Sequence, residues 1–205
     1  MKILVLGRSY HLYAAICHAF KSDEIEVVQW RGNCSCSNFS NLKYDIIFIV
    51  GFDYSSYMKD YEEYMQVNIK NPLLNLISLC KNNTDIVYIS TQYSNLSYTF
   101  SRYRYAKEEL GSKIVEQFPN SYIVRFDTFV NSNGELKVNA NFIIKKIFYF
   151  LIKINIIKTI NLKDVSIKLG NYKKSYSLEV NRIEGLFIRA PRTQFIDRLL
   201  RVMFG

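Results

Sequence analysis

Residues 85–126 read DIVYISTQYSNLSYTFSRYRYAKEELGSKIVEQFPNSYIVRF. Asp85 to Ile89 is a short β-branched and apolar run, which predicts a strand. It ends in the hydroxyl pair Ser90-Thr91. A polar, Tyr-rich loop follows. Tyr103-Arg104-Tyr105-Ala106-Lys107 then opens a helix running to about Gln117, and a further strand begins at Ser121. Tyr103 and Lys107 are four residues apart, so on a helix they lie one turn apart on one face. A phenol loses its proton near pH ~10, and a nearby ammonium lowers that value by favouring the phenolate. A tyrosine tuned in this way exchanges a proton with a substrate hydroxyl or carbonyl. A hydroxyl from Thr91 or Ser90 would hold the same oxygen. The chain has 16 Tyr, so the pair alone is a weak signal. Its place after a strand ending in Ser-Thr, within an alternation of strands and helices, is what makes it a motif.

Outward from this stretch the alternation continues. MKILVLG is a buried-strand pattern ending in Gly7, and a helix is expected over about Tyr10 to Phe20. Strand, glycine turn and helix is how a dinucleotide's pyrophosphate is usually held, on backbone N–H groups at a helix N-terminus. Glu26 to Gln29 reads as a second strand ending at Trp30-Arg31, and residues 32–43 as a loop. Tyr44 to Val50 reads as a third strand, closed by Gly51. A polar, tyrosine-rich stretch lies over Tyr54 to Tyr64. Asn68 to Asn82 predicts a helix with Leu73, Leu74, Ile77 and Cys80 on its apolar face. Pro72 sits in its first turn, where proline is tolerated.

Taken together, these pieces resemble a shortened member of the short-chain dehydrogenase/reductase superfamily, extended branch: the NAD-dependent epimerase/dehydratase type. The likeness rests on MKILVLG, YDIIFIVG, VNIKNPLLNLISLCKNN, VYIST, the Tyr103–Lys107 pair and YIVRFDTFV. It implies an α/β fold, a Rossmann-like doubly wound parallel sheet over residues 1–135. A small basic C-terminal lobe over 136–205 would serve substrate or partner binding. It implies Tyr103 as acid/base, Lys107 as the group that lowers its pKa and holds the nicotinamide ribose, and Thr91 as the group that positions the reacting oxygen. Cofactor contacts are implied for Gly7, Arg8, Ser9, Tyr10, Leu12, Val50, Gly51, Asn68 and Ser90. Arg31, where an acidic residue would bind the ribose of NAD, suggests the 2′-phosphate of NADP. Gln92, Arg189 and Arg192 are the candidate substrate contacts, the arginines because guanidinium pairs bidentately with phosphate. The substrate implied is a small anionic one, a nucleotide sugar.

The chain departs from the family pattern in two places. Glycines would stand at 7, 10 and 13, where this chain has Gly7, Tyr10 and Tyr13. The loop between Thr91 and Tyr103 is shorter than is usual in the family.

Composition bounds the rest. The chain has 205 residues, enough for one full core. Met1-Lys2 runs straight into a strand pattern with no cleavage site, which predicts no signal peptide. Cys17, Cys34, Cys36 and Cys80 have no zinc spacing, and His11 and His18 have no third ligand near them, so no metal site is expected. Free cysteines suit a reducing cytoplasm. Net charge is +9. Residues 1–102 hold nine Lys/Arg and nine Asp/Glu, and residues 103–205 hold 18 and nine. All the excess is in the second half. It suits an anionic ligand; nucleic acid is not expected as a partner.

Beyond Val130 the likeness fades. Asn131 to Gly134 reads as a turn. Asn141 to Ile160 is apolar but interrupted by lysines, so it predicts a buried or amphipathic helix rather than a span. Leu162 to Leu169 reads as a strand. In the tail, Pro191 precedes a basic amphipathic segment, open to three roles: substrate binding, peripheral membrane contact, or packing on the core or in a homodimer. Two function classes stay open. One is an NAD(P)-dependent oxidoreductase, epimerase or dehydratase. The other is a non-catalytic binding or regulatory protein on the same fold.

Overall fold

The fold was read from a computed structural model, which describes residues 1–7, 9–21, 24–28, 42–50, 60–81, 83–91, 98–130, 133–136, 142–175, 184–191 and 194–195. Strands β1 (Lys2–Leu6), β2 (Glu24–Val28) and β3 (Ile46–Ile49) are followed by β4 (Asp85–Thr91). Short β5 (Tyr98–Thr99) precedes β6 (Ser121–Phe126), β7 (Thr128–Val130), β8 (Thr159–Asn161) and β9 (Glu184–Gly185). Helices are α1 (Tyr10–Ala19), α2 (Tyr61–Met65), α3 (Asn71–Leu79), α4 (Arg102–Gln117), α5 (Phe142–Lys153) and α6 (Leu162–Gly170).

Five strands form one parallel sheet in the order β2-β1-β3-β4-β6. The expected α/β doubly wound architecture is the observed one. The order reverses direction between β1 and β3. In open parallel sheets that switch point opens a crevice at the carboxyl ends of the strands, where ligands bind.

Apart from the edge strand β2, the sheet is buried on both faces, as parallel sheets are, and its pleat sorts the side chains. Leu4, Leu6, Ile47, Ile49, Ile86, Tyr88 and Ile123 face one way. They pack with Tyr64, Ile69, Leu73, Leu76 and Leu79 and with Ala106, Leu110 and Ile114 of α4. Ile3, Val5, Ile46, Phe48, Val87, Ile89, Val124 and Phe126 face the other way. Their cover is Leu12, Ala15 and Ile16 of α1 together with Val165 and Leu169 of α6 and Tyr172. Tyr172 also donates its hydroxyl to Asp85, and Lys173 pairs with the same carboxylate at 2.9 Å. The chain beyond residue 135 therefore supplies part of the sheet's own cover.

Two readings of local structure are corrected. Leu162 to Leu169 is a helix, not a strand. Asn161 caps it, accepting from the Asp164 amide at 2.9 Å. Val165 and Leu169, four apart, fall on one helical face and pack into the core. The helix before β4 also faces differently from the expectation. Leu73, Leu76 and Leu79 are buried, whereas Leu74 and Ile77 are exposed. A π-helical turn, Gln66–Lys70, joins α2 to α3 and shifts the phase of the buried stripe.

Candidate active site

The sequence of α4 dictates its start. Ser101 is extended, and its hydroxyl accepts from the Arg104 amide at 3.3 Å, which caps the helix. Tyr103 and Lys107 then fall on one face, at 4 % and 6 % exposure. The Lys107 ammonium donates to the carbonyl of Ile89 in β4 at 3.1 Å. It lies 5.7 Å from the ring centres of both Tyr103 and Tyr88. The structure thus brings Tyr103 and Lys107 together at the end of β4, two residues before Thr91. The backbone of Thr91 closes β4, paired with Phe126. Its side chain, with Arg8, Arg31, Gly51, Gln92 and Arg192, lies outside the described residues.

Burial dominates the electrostatics. Taking the Lys107 ammonium out of water pulls its pKa down to about 8, against the opposing pull of Glu108. Glu108 is itself buried. It binds Arg125 of β6 at 2.9 Å and accepts the Ser90 hydroxyl at 3.3 Å. Ser90 is therefore turned to Glu108, not to the crevice. Asn68 is buried too, and its amide donates to the Tyr64 carbonyl at 3.2 Å.

At the other side of the crevice, Gly7 has φ 109°, a conformation that favours glycine. Val50 follows β3, its amide bonded to the Leu6 carbonyl at 2.9 Å. Ser9 is the N-cap of α1, and its side chain makes no capping hydrogen bond. No acidic residue stands in the first turn of α1. Leu12 is in the core under that helix.

The C-terminal segment closes over the loop that leads into α4. β9 pairs with β5, and the Leu186 amide donates to the Thr99 carbonyl at 3.0 Å. Phe187 stacks on Phe100. Arg102, 2 % exposed, donates Nε to the Ile188 carbonyl at 2.7 Å. Arg189 lies over the Tyr61 ring at 5.2 Å, beside a cavity of about 270 Å³ lined also by Tyr105, Gly185, Phe187 and Ile188.

No family model matches the sequence, and no curated protein matches it. Solved structures do match. A short-chain dehydrogenase/reductase superfamily protein from Agrobacterium tumefaciens with bound NAD has a TM-score of 0.58 at 10 % identity, over 86 % of this chain and 76 % of that one. The chain has the short-chain dehydrogenase/reductase fold. UDP-N-acetylglucosamine 4-epimerase from Methanobrevibacter ruminantium, in complex with UDP-N-acetylmuramic acid, gives 0.54 at 14 % identity, over 85 % and 72 %. A GDP-L-fucose synthetase from Naegleria fowleri bound to NADP gives 0.53 at 12 %, over 88 % and 70 %.

Against that fold, the two tyrosines in place of glycines have a structural answer. Tyr10 is 79 % exposed, its ring edge-on to His11. Tyr13 is partly exposed and is hydrogen-bonded to Cys17, which raises its phenol pKa. Both rings stand on the outer side of α1. Contact with the sheet falls on Leu12, Ala15 and Ile16 instead. The positive-φ Gly7, the uncommitted Ser9 hydroxyl and the acid-free first turn fit a dinucleotide's pyrophosphate.

Sequence reasoning missed Glu108, Arg125 and Arg102. Glu108 directly follows Lys107 in α4, but its partner is 17 residues away, on strand β6. No local spacing signals that pair. Among the described residues no group of three metal-ligating side chains gathers, and no helix is long and apolar enough to cross a membrane.

Proposed function

We propose that the protein is an NAD(P)-dependent oxidoreductase, epimerase or dehydratase acting on a nucleotide sugar. The observation that carries this is the Tyr103–Lys107 pair, buried at the end of β4, in a sheet whose switch point ends in the Gly7 turn. The named neighbours that bind NAD, NADP or a UDP-sugar support the class. Gly7, Ser9 and the first turn of α1 would hold the pyrophosphate, with Val50 beneath the cofactor. The nicotinamide would supply hydride transfer. Tyr103 passes a proton to or from the substrate oxygen. Lys107 lowers the pKa of Tyr103 through its charge, and Thr91 orients the oxygen. Arg189, which lies over Tyr61 and lines the cavity there, would meet an anionic group of the substrate. The basic second half suits such an anion.

Titration with NADPH and with NADH tests this, followed by nicotinamide fluorescence and thermal shift. A ligand that binds only the folded state raises the melting temperature by mass action. Micromolar binding of one dinucleotide, weakened at least tenfold by Lys107→Ala, is the expected result, with NADPH favoured if Arg31 meets the 2′-phosphate. The second reading, a non-catalytic binding protein, is favoured by Tyr10 and Tyr13 replacing two glycines of the family's phosphate-binding pattern. Its signature is no shift at millimolar concentrations of both.

A further inference from the structure

The helix α5 and the turn after it carry an apolar stripe on the outside of the molecule. Ile143, Ile147, Phe150 and Ile154 follow the spacing i, i+4, i+7, i+11, which places them on one side of a helix. They are 68 %, 41 %, 61 % and 46 % exposed. The inward side of the helix is supplied separately by Phe148, at 1 % exposure. The helix therefore has its core contact and a second apolar face besides. Phe142 in the same helix and Ile156 beyond its end are also exposed, at 70 % and 65 %. Soluble proteins rarely leave so many large apolar side chains adjacent and open unless the face binds something.

Charge decides among the occupants. From residue 136 to residue 163 the chain contains six lysines and no Asp or Glu. Lys146 and Lys153 lie beside the stripe and are exposed, and Lys158 follows it. The Lys146 ammonium sits 4.4 Å from the centre of the Phe142 ring, so cation and apolar surface are presented together. An apolar stripe bordered by lysines, with no acidic residue, complements a surface that is anionic outside and apolar within. A second copy of the chain would set these lysines against one another across a two-fold interface, because such an interface uses the same patch on both subunits.

We propose that α5 is a peripheral membrane-docking helix, lying in the plane of an anionic bilayer with Ile143, Ile147, Phe150 and Ile154 among the acyl chains. Lys146, Lys153 and Lys158 meet the lipid phosphates and carboxylates. Helices of this kind bind through buried apolar area together with attraction to anionic lipid.

Co-sedimentation of the full-length protein with vesicles tests the proposal. One set is pure phosphatidylcholine; the other contains about a third phosphatidylserine, a composition chosen for its surface potential. Strong partition onto the anionic vesicles only is expected, weakened at least tenfold by 0.5 M salt, where the screening length is a few Å. Phe150→Ser with Ile143→Ser should weaken it at least tenfold, as should Lys146→Glu with Lys153→Glu. All four side chains are exposed, so an unchanged melting temperature is expected and confirms that the variants fold. No partition at low salt overturns the proposal. So does undiminished partition of both variants, which would place binding elsewhere, as in the basic tail. If the serine variant instead converts a dimer to a monomer in sedimentation, a second copy covers the stripe and the membrane assignment fails.

Discussion

Replacing Lys107 by methionine should stabilise the folded protein at neutral pH while removing the dinucleotide response proposed for it. The ammonium is buried, and its pKa falls from 10.5 to about 8. A displacement of that size corresponds to about 3 kcal/mol of cost for keeping the charged form inside. Methionine has a similar length and carries no charge. Loss of the bond to the Ile89 carbonyl offsets about 1 kcal/mol of the gain. A net rise of about 2 kcal/mol remains, or roughly 4–8 °C in melting temperature for a chain of this size. The pH dependence gives the cause. Between about pH 8 and 10.5 the unfolded chain holds a proton that the folded chain has lost, so wild-type stability rises with pH across that window. Below about 8 both states are charged and the full cost is present. The gap between variant and wild type should therefore be widest below pH 8 and close towards 10.5. Thermal melts at pH 7 and pH 10 measure it. A variant less stable than wild type at pH 7, or a gap independent of pH, would show that the surrounding carbonyl and rings compensate the charge completely.

The second large effect is expected at Arg125. Arg125→Leu leaves the Glu108 carboxylate at 8 % side-chain exposure without its 2.9 Å partner. Removing one member of a buried pair costs roughly 3–5 kcal/mol. The lower end applies because the Arg125 side chain keeps 17 % exposure. Replacing the pair together, as Glu108→Gln with Arg125→Leu, keeps an acceptor for Ser90 and leaves no buried charge from the pair. It should recover most of the loss. Urea unfolding of the two singles and the double closes the cycle. If the double variant is no more stable than Arg125→Leu alone, an uncompensated carboxylate is not the source of the damage.

Both effects concern groups that the sequence shows unequally. Lys107 was legible because its partner is one helical turn away. The sheet was legible because its strands are short apolar runs bounded by polar segments, and burial on both faces demands such runs. Glu108 and Arg125 were not legible, since their pairing depends on β4 and β6 lying side by side with α4 across them. The phase of α3 was lost for a different reason. A π turn adds a residue to one coil of the helix, and no residue type in Gln66–Lys70 announces it. Leu162–Gly170 misled because its apolar positions satisfy a short alternation as well as a helical face. The Asn161 cap with Asp164 three residues on was the available signal.

The cover that α6 gives the sheet has a consequence for how the protein is made. Domains tend to fold from the N-terminus as they leave the ribosome. Here Val5, Phe48, Val87 and Val124 have all been synthesised long before Val165, Leu169 and Tyr172 arrive to enclose them. Until then α1 alone covers that side of the central sheet, and the part that α6 and Tyr172 will cover stays open. A chain stopped at residue 135 should stay in that state, and should bind a hydrophobic dye and aggregate where the full chain does neither. Emergence from the ribosome is then the stage at which a chaperone would find exposed sheet to bind.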